Sequence, residues 1–141
     1  MRRAIACALA FVFASASGAS ASADRPVRIL IDGRPVLRMT ARSHAGTVYV
    51  ELGGMVRAFS GLVIFEKTTA TVSIGDRVAV FTLGSSRANL DGDVIATGGK
   101  AYESGGDFYV PLDFVATQVA HASVRIAAHG SLAIITSQGA R

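Results

Sequence analysis

Hydrophobic and polar residues alternate with a period of two over most of the chain after Asp24. This period is typical of strands that bury one face. Asp32-Gly33, Gly75-Asp76 and Asp91-Gly92 interrupt the alternation with residues that suit tight turns. The pattern therefore predicts three β-hairpins, one around each of these turns.

The middle hairpin is the most regular of the three. It joins residues 70–74 to residues 77–83 through Gly75-Asp76. Because both arms alternate, each offers one apolar row. We expect Val72 and Ile74 to face Val78 and Val80 across this hairpin.

Two segments have helical spacing instead, with apolar residues at i, i+3, i+4 and i+7. Pro111 fits the first turn of the second helix, because a helix start does not need its missing N–H. The pair Gly53-Gly54 weakens the first helix by roughly 1 kcal/mol per glycine, so that helix depends on tertiary packing. The two apolar stripes are Leu52, Met55, Val56 and Phe59, and Leu112, Val115, Ala116 and Val119. The predicted fold class is α+β, with antiparallel β-hairpins packed around two short helices.

The helices belong to an internal repeat. The segment 46–52 corresponds to 106–112 at a constant offset of 60, and a strand-like segment follows each helix, at 62–65 and 123–126. The repeated unit is a strand, a helix and a hairpin, with copies at about 46–74 and 106–136. Because a 60-residue unit alone would be marginally stable, we expect both copies to close one core in a single domain over residues 24–141.

Residues 1–23 have the pattern of a secretory signal peptide. Arg2 and Arg3 form a basic start, an apolar run follows from Ala4 to Ala14, and Ala21-Ser22-Ala23 matches a cleavage site. This run is shorter than the roughly 20 residues that a membrane-spanning helix needs. We therefore expect cleavage before Asp24, no transmembrane segment afterwards, and a periplasmic, cell-surface or extracellular location.

Composition argues against nucleic-acid binding and against cysteine chemistry. Loss of the leader lowers the formal net charge from +4 to about +2. The only cysteine, Cys7, lies in the leader, so the mature domain has no disulfide and no thiolate ligand. An arginine cluster with no interleaved aromatic residue is typical of a solvated strand face. This cluster comprises Arg25, Arg28, Arg34, Arg38 and Arg42.

No catalytic or metal-binding constellation is evident in the sequence. His44, His121 and His129 lack the spacing of metal ligands, and we interpret them as solvent-exposed loop residues. The acidic residues fit structural roles, in a turn for Asp91 and Asp93 and near helix starts for Glu51, Asp107 and Asp113. Nucleophile-elbow and phosphate-loop patterns are absent from the sequence. We expect no enzyme activity, no cofactor and no resident metal.

Three aromatic residues form the candidate binding surface. Tyr49, Phe108 and Tyr109 lie just before the two predicted helices and could form a platform for a sugar or a peptide. Their repeated position favours packing at the strand-to-helix junction over ligand binding.

The sequence resembles the copper amine oxidase N-terminal-like domain family over residues 27–136. Three phrases carry the resemblance, at residues 31–36, 83–92 and 106–116, with a weaker copy of the last at 46–59. Glu51 replaces the proline that the family has there, whereas Pro111 keeps it. The resemblance implies a bacterial exported domain of the non-catalytic stalk type, without the copper ligands of the oxidases.

These observations predict an exported structural or protein-interaction module of the bacterial cell envelope. Its expected partner is an envelope protein or a second copy of the chain. A module that binds cell-wall glycan or peptide is the alternative, and a small hydrolase or metal-dependent enzyme is less favoured.

Overall fold

The computed structural model describes residues 24–37 and 39–138. The predicted signal peptide and Arg38 of the arginine cluster lie outside the described residues. The helical segments are α1 (Leu52–Ala58), α2 (Leu112–Phe114), a π-helical segment (Val115–Val119) and a 3₁₀ turn (Ala128–Gly130). The strands are β1 (Arg25–Pro26), β2 (Arg28–Ile31), β3 (Arg34–Pro35), β4 (Ala41–His44), β5 (Thr47–Glu51), β6 (Leu62–Phe65), β7 (Thr69–Ile74), β8 (Arg77–Thr82), β9 (Arg87–Leu90), β10 (Asp93–Ala96), β11 (Tyr102–Ser104), β12 (Asp107–Pro111), β13 (Ala122–Ala127) and β14 (Leu132–Ser137).

The strands form three sheets. The central sheet has the order β1-β4-β5-β12-β11, the meander sheet has the order β10-β9-β8-β7-β6, and the terminal sheet has the order β13-β14-β2-β3. Neighbouring strands are antiparallel except β14 and β2, which are parallel. The α+β prediction is confirmed, while the parallel pair was not foreseen.

The three predicted hairpins are present as β2-β3, β7-β8 and β9-β10. The predicted facing of the middle hairpin is wrong, because Val72 pairs with Ala79 and Ile74 pairs with Arg77. A two-residue turn at Gly75-Asp76 pairs each even-numbered residue of β7 with an odd-numbered residue of β8. Val78 and Val80 therefore lie on the face of the sheet opposite to Val72 and Ile74.

Both predicted helices follow directly from strands of the central sheet. Glu51 caps α1, and its carboxylate Oε2 accepts a hydrogen bond from the Gly54 N–H at 2.6 Å. Pro111 occupies the equivalent N-cap position of α2. The prediction had placed it in the first turn, which begins one residue later, at Leu112. The second helix departs from α geometry after Phe114, because the Ala120 N–H donates to the Val115 carbonyl five residues earlier, at 2.9 Å.

The core lies where the two helices meet the sheets. Of the predicted stripe residues, only Phe59 is partly exposed, because it lies beyond the end of α1 at the C-cap. The other seven are buried: Leu52, Met55, Val56, Leu112, Val115, Ala116 and Val119. Within residues 24–37 and 39–138, no helix has the length and apolar character needed to cross a membrane.

The two predicted repeat units take neighbouring places in the central sheet. Strands β5 and β12 pair antiparallel, with Val50 opposite Val110. Each is followed by a helical segment and then by a two-stranded unit, β6-β7 or β13-β14. That the two units are copies of one repeated unit stays a prediction.

Candidate functional site

All three tyrosines of the chain meet on one face of the central sheet. Tyr49 lies on β5, Tyr109 on β12 and Tyr102 on β11, and Tyr102 pairs directly with Tyr109 across the strands. Tyr49 is 4% exposed and Tyr109 is 1% exposed, whereas Tyr102 is half-buried. We call these residues, together with His44, the tyrosine cluster.

Ring contacts hold the tyrosine cluster together. The rings of Tyr102 and Tyr109 are stacked, with centroids 5.1 Å apart and an interplanar angle of 12°. Tyr49 meets Tyr102 edge-on at 4.9 Å, and the His44 imidazole lies 4.7 Å from the Tyr102 ring. Such arrangements add to the stability that ring burial itself provides.

Charged groups close one side of the cluster. The Arg42 Nη2 atom donates a 2.7 Å hydrogen bond to the Tyr109 hydroxyl, and the guanidinium carbon lies 4.3 Å from the centre of that ring. Asp24 accepts from Arg42 at 3.4 Å and is joined to His44 Nδ1 at 2.7 Å. Arg42 therefore contacts the tyrosine cluster and His44 belongs to it. The sequence interpretation had placed Arg42 on a solvated strand face and His44 in an exposed loop.

Burial changes the acid–base behaviour of the tyrosines. It raises the pKa of Tyr49 and raises the pKa of Tyr102 to about 12. The Tyr102 hydroxyl is enclosed and has no hydrogen-bond partner among the described residues. The hydrogen bond with His44 lowers the pKa of Asp24, so that this carboxyl stays charged.

A groove opens beside the cluster. It has a volume of about 480 Å³, and its wall combines the His44, Tyr49 and Tyr102 rings with the loop Gly98-Gly99-Lys100. A Cβ atom at residue 99 would overlap the Tyr49 hydroxyl, so a larger residue there would require the Tyr49 side chain to shift. No carboxylate lines this groove among the described residues, and the Lys100 ammonium is the charged group in its wall.

Phe108, the third residue of the candidate binding surface, lies apart from the two tyrosines. It is 7% exposed and packs against Phe65 at 6.0 Å on the opposite face of the central sheet. Since adjacent residues of a strand point to opposite faces, Phe108 and Tyr109 cannot form one platform. Ligand binding by Tyr49 and Tyr109 stays a prediction.

The other candidate residues are spread over the molecule. His121 and His129 are exposed and have left-handed backbone conformations, with φ of 53° and 56°. In the part of the chain that the structure describes, no three His, Cys, Asp or Glu side chains are grouped as a metal site would require. Asp91 accepts from the Val78 N–H at 2.8 Å, while Asp107 opens strand β12 and not a helix.

The meander sheet carries an apolar surface that sequence reasoning missed. Leu62 and Ile64 of β6 are 75% and 63% exposed, and Val94 of β10 is 66% exposed. Register places Ile64, Thr71, Val80, Asn89 and Val94 in one row across the outer face. The available signal was the uninterrupted apolar run of β6, which does not alternate as a half-buried strand should.

The comparison with protein families gives a clear result. The sequence pattern of the Copper amine oxidase N-terminal domain family matches residues 30–133. The chain belongs to this family. No curated protein and no solved structure matches the chain. From the family resemblance we expect proline at residue 51, and Glu51 lies there instead. Glu51 is the N-cap residue of α1, as Pro111 is the N-cap residue of α2.

Proposed function

We propose that the chain is an exported, non-catalytic module of the bacterial cell envelope that binds another polypeptide through strand β6. The observation that carries this proposal is the exposed and uncharged edge formed by residues 62–65. An edge strand offers unpaired backbone N–H and C=O groups to any extended segment that can align with it. The signal-peptide pattern of residues 1–23 and the family membership support the envelope location.

The roles of the carboxylates support a non-enzymatic module. Asp32 accepts hydrogen bonds from the Ser137 N–H and hydroxyl, and Glu51 caps α1. Asp24 is paired with His44 and Arg42, and Asp91 holds the β8 backbone. Each of these four carboxylates has a protein partner of its own, which favours a structural role for them.

The proposal is tested with two lysine substitutions on the same sheet. Ile64→Lys places a charge on the β6 edge, and Val94→Lys places the same charge on an exposed residue of the opposite edge. Tagged chains expressed in the native host are crosslinked and purified, and the attached proteins are quantified. We expect loss of the attached polypeptide only for Ile64→Lys. Equal recovery from both variants would refute a role for β6.

A second candidate function is binding of an acidic cell-wall glycan or peptide in the groove beside the tyrosine cluster. Its aromatic walls suit a sugar ring, and Lys100 suits a carboxylate. The chain contains one other lysine, Lys67, in the β6-β7 turn, which makes Lys67→Gln a matched control for Lys100→Gln. We expect only Lys100→Gln to reduce binding to purified cell wall, and absence of wall binding by the parent would exclude this function.

A further inference from the structure

Among the described sheet edges, β6 differs from the other five in its lack of protection. Natural edge strands carry charges or proline that discourage pairing with another chain. The other edges follow this rule, with Arg25 and Pro26 on β1, Arg34 and Pro35 on β3, Asp93 on β10, Glu103 on β11 and Arg125 on β13. Strand β6 reads Leu-Val-Ile-Phe and has neither device.

The hydrogen-bond pattern identifies the free groups of β6. The Glu66 N–H donates to the Thr69 carbonyl at 2.8 Å, so the backbone N–H and C=O groups of Glu66 point toward β7. Because this backbone orientation alternates along an antiparallel strand, the N–H and C=O groups of Ile64 and Leu62 also point toward β7. Val63 and Phe65 therefore direct their N–H and C=O groups away from the sheet.

One register lets two copies of β6 satisfy all of these groups. When Ile64 lies opposite Ile64 of a second copy, Val63 faces Phe65 of that copy and Phe65 faces its Val63, which gives four backbone hydrogen bonds. A shift that centres the pair on Val63 brings Gly61 opposite Phe65. The Gly61 N–H is already used, since it donates to the Val56 carbonyl at 2.9 Å.

The side chains fit the same register. Leu62 and Ile64 are on the outer face, so Ile64 meets the Ile64 of the second copy at the two-fold axis and joins the two outer faces through an apolar contact. The core-side residues Val63 and Phe65 cover each other, and Phe65 has half of its surface exposed in the single chain. No charged residue opposes another charged residue in this arrangement.

We propose that the occupant of the β6 edge is a second copy of this chain, paired antiparallel about Ile64, so that two five-stranded meander sheets form one continuous sheet. This inference rests on the proposed function, because it names the polypeptide that β6 binds. Four residues per copy bury less area than a standard interface, so the dimer is expected to be weak and concentration-dependent.

Crosslinking tests the register. Residues at a two-fold axis in a non-hydrogen-bonded pair have Cα atoms about 4.5 Å apart, which a disulfide can span. With the chain expressed from its full coding sequence, Ile64→Cys should form a disulfide-linked dimer under mild oxidation, whereas Val94→Cys and the parent should not. A dimer that forms through Val63→Cys in preference to Ile64→Cys would overturn this pairing.

Sedimentation across micromolar to millimolar concentrations tests the association itself. Ile64→Lys places like charges opposite each other and should weaken the dimer by about tenfold or more. Val63→Pro removes outward N–H donors at an edge position that tolerates proline, and should also favour the monomer. A parent chain that remains monomeric would refute self-pairing. The proposed function would nevertheless stand if Ile64→Lys still lost its envelope partner in cells.

Discussion

At the scale of single residues, the tyrosine cluster shows how one strand position serves both the core and the surface. The Tyr109 ring is buried, and its hydroxyl accepts a hydrogen bond from Arg42. Asp24 in turn holds Arg42 and His44 in place against the rings. We therefore expect the stability of the cluster to depend more on ring packing than on the hydrogen bond of the Tyr109 hydroxyl.

Substitutions at Tyr109 separate these two contributions. Tyr109→Ala removes a ring with 1% exposure and should lower the free energy of unfolding by about 3 to 5 kcal/mol. Tyr109→Phe removes only the contact with Arg42 and should cost about 1 kcal/mol. Tyr49→Phe is the control, because its hydroxyl has no hydrogen bond to any described residue. Urea unfolding measures all three, and equal losses for the two Tyr109 variants would contradict the packing role.

The pKa of Tyr102 predicts an alkaline transition. Burial raises this pKa from the model-compound value of 10.0 to about 12, so the neutral phenol favours the folded state. This contribution is complete below pH 10 and is lost as the pH rises through about 12. Absorbance of tyrosinate and circular dichroism should therefore change together in that range.

Tyr102→Phe provides the control for the alkaline transition. The variant removes an enclosed hydroxyl without a described partner, so its stability at neutral pH should match or exceed that of the parent. Its unfolding should also move to higher pH. An unchanged alkaline midpoint would show that another group controls the transition.

At the scale of elements, the start of α1 explains why a short helix contains two glycines. The Glu51 carboxylate folds over the first turn to reach the Gly54 N–H. A Cβ atom at residue 53 would lie 2.7 Å from Glu51 Oε1, and one at residue 54 would lie 2.7 Å from Oε2. The glycines that weaken the helix by propensity thus make room for its cap.

The close approach of Glu51 to residue 53 predicts that the effect of Gly53→Ala on stability changes sign when Glu51 is replaced by alanine. Glu51→Ala alone should cost about 0.5 to 2 kcal/mol of stability through loss of the cap. Gly53→Ala should destabilise the parent, but in the Glu51→Ala background it should stabilise by up to about 1 kcal/mol, since only helix propensity then remains. Thermal unfolding of the two single variants and the double variant measures the coupling. Additive effects would contradict it.

Local patterns predicted the elements of this fold well, and long-range features poorly. Two-residue turns defined the hairpins, and apolar spacing located both helices. The predicted register of the middle hairpin was wrong because the number of residues in the turn, and not apolar content, decides which valines face the core. The pairing of Asp24 with His44 joins β4 to a residue 20 positions away in sequence, and no periodicity signals such a contact.

At the scale of the whole molecule, the terminal sheet joins the two ends of the described chain. Strand β2 pairs in parallel with β14, and Asp32 binds Ser137 across 105 positions of sequence. Ala133 and Ile135 of β14 are fully buried, so this strand completes the core. The two ends of the described part of the chain therefore contribute to the stability of the entire domain.

The Asp32–Ser137 contact predicts sensitivity to acid. The hydrogen bond from the Ser137 hydroxyl, followed by that from its N–H, lowers the pKa of Asp32 below the model-compound value of 3.8. Its stabilising contribution is therefore present above that value and is lost as the pH falls through the lower folded-state pKa. Asp32→Ala should reduce the dependence of unfolding on acid pH, measured by urea midpoints between neutral pH and pH 2.

Asp76→Ala is the matched control for this acid dependence, since Asp76 lies in an exposed hairpin turn. The control should retain the pH profile of the parent. Identical profiles for the parent and Asp32→Ala would contradict a stabilising role for the terminal contact.

The parallel pairing of β2 with β14 also determines when the protein can fold during its biosynthesis. A nascent chain contains no complete β14 until the ribosome has added Ser137, so β2 cannot form its parallel pairing before then. The core cannot close around Ile135 before that point. The complete core therefore forms only after β14 has been synthesised, and until then β2 lacks its parallel neighbour.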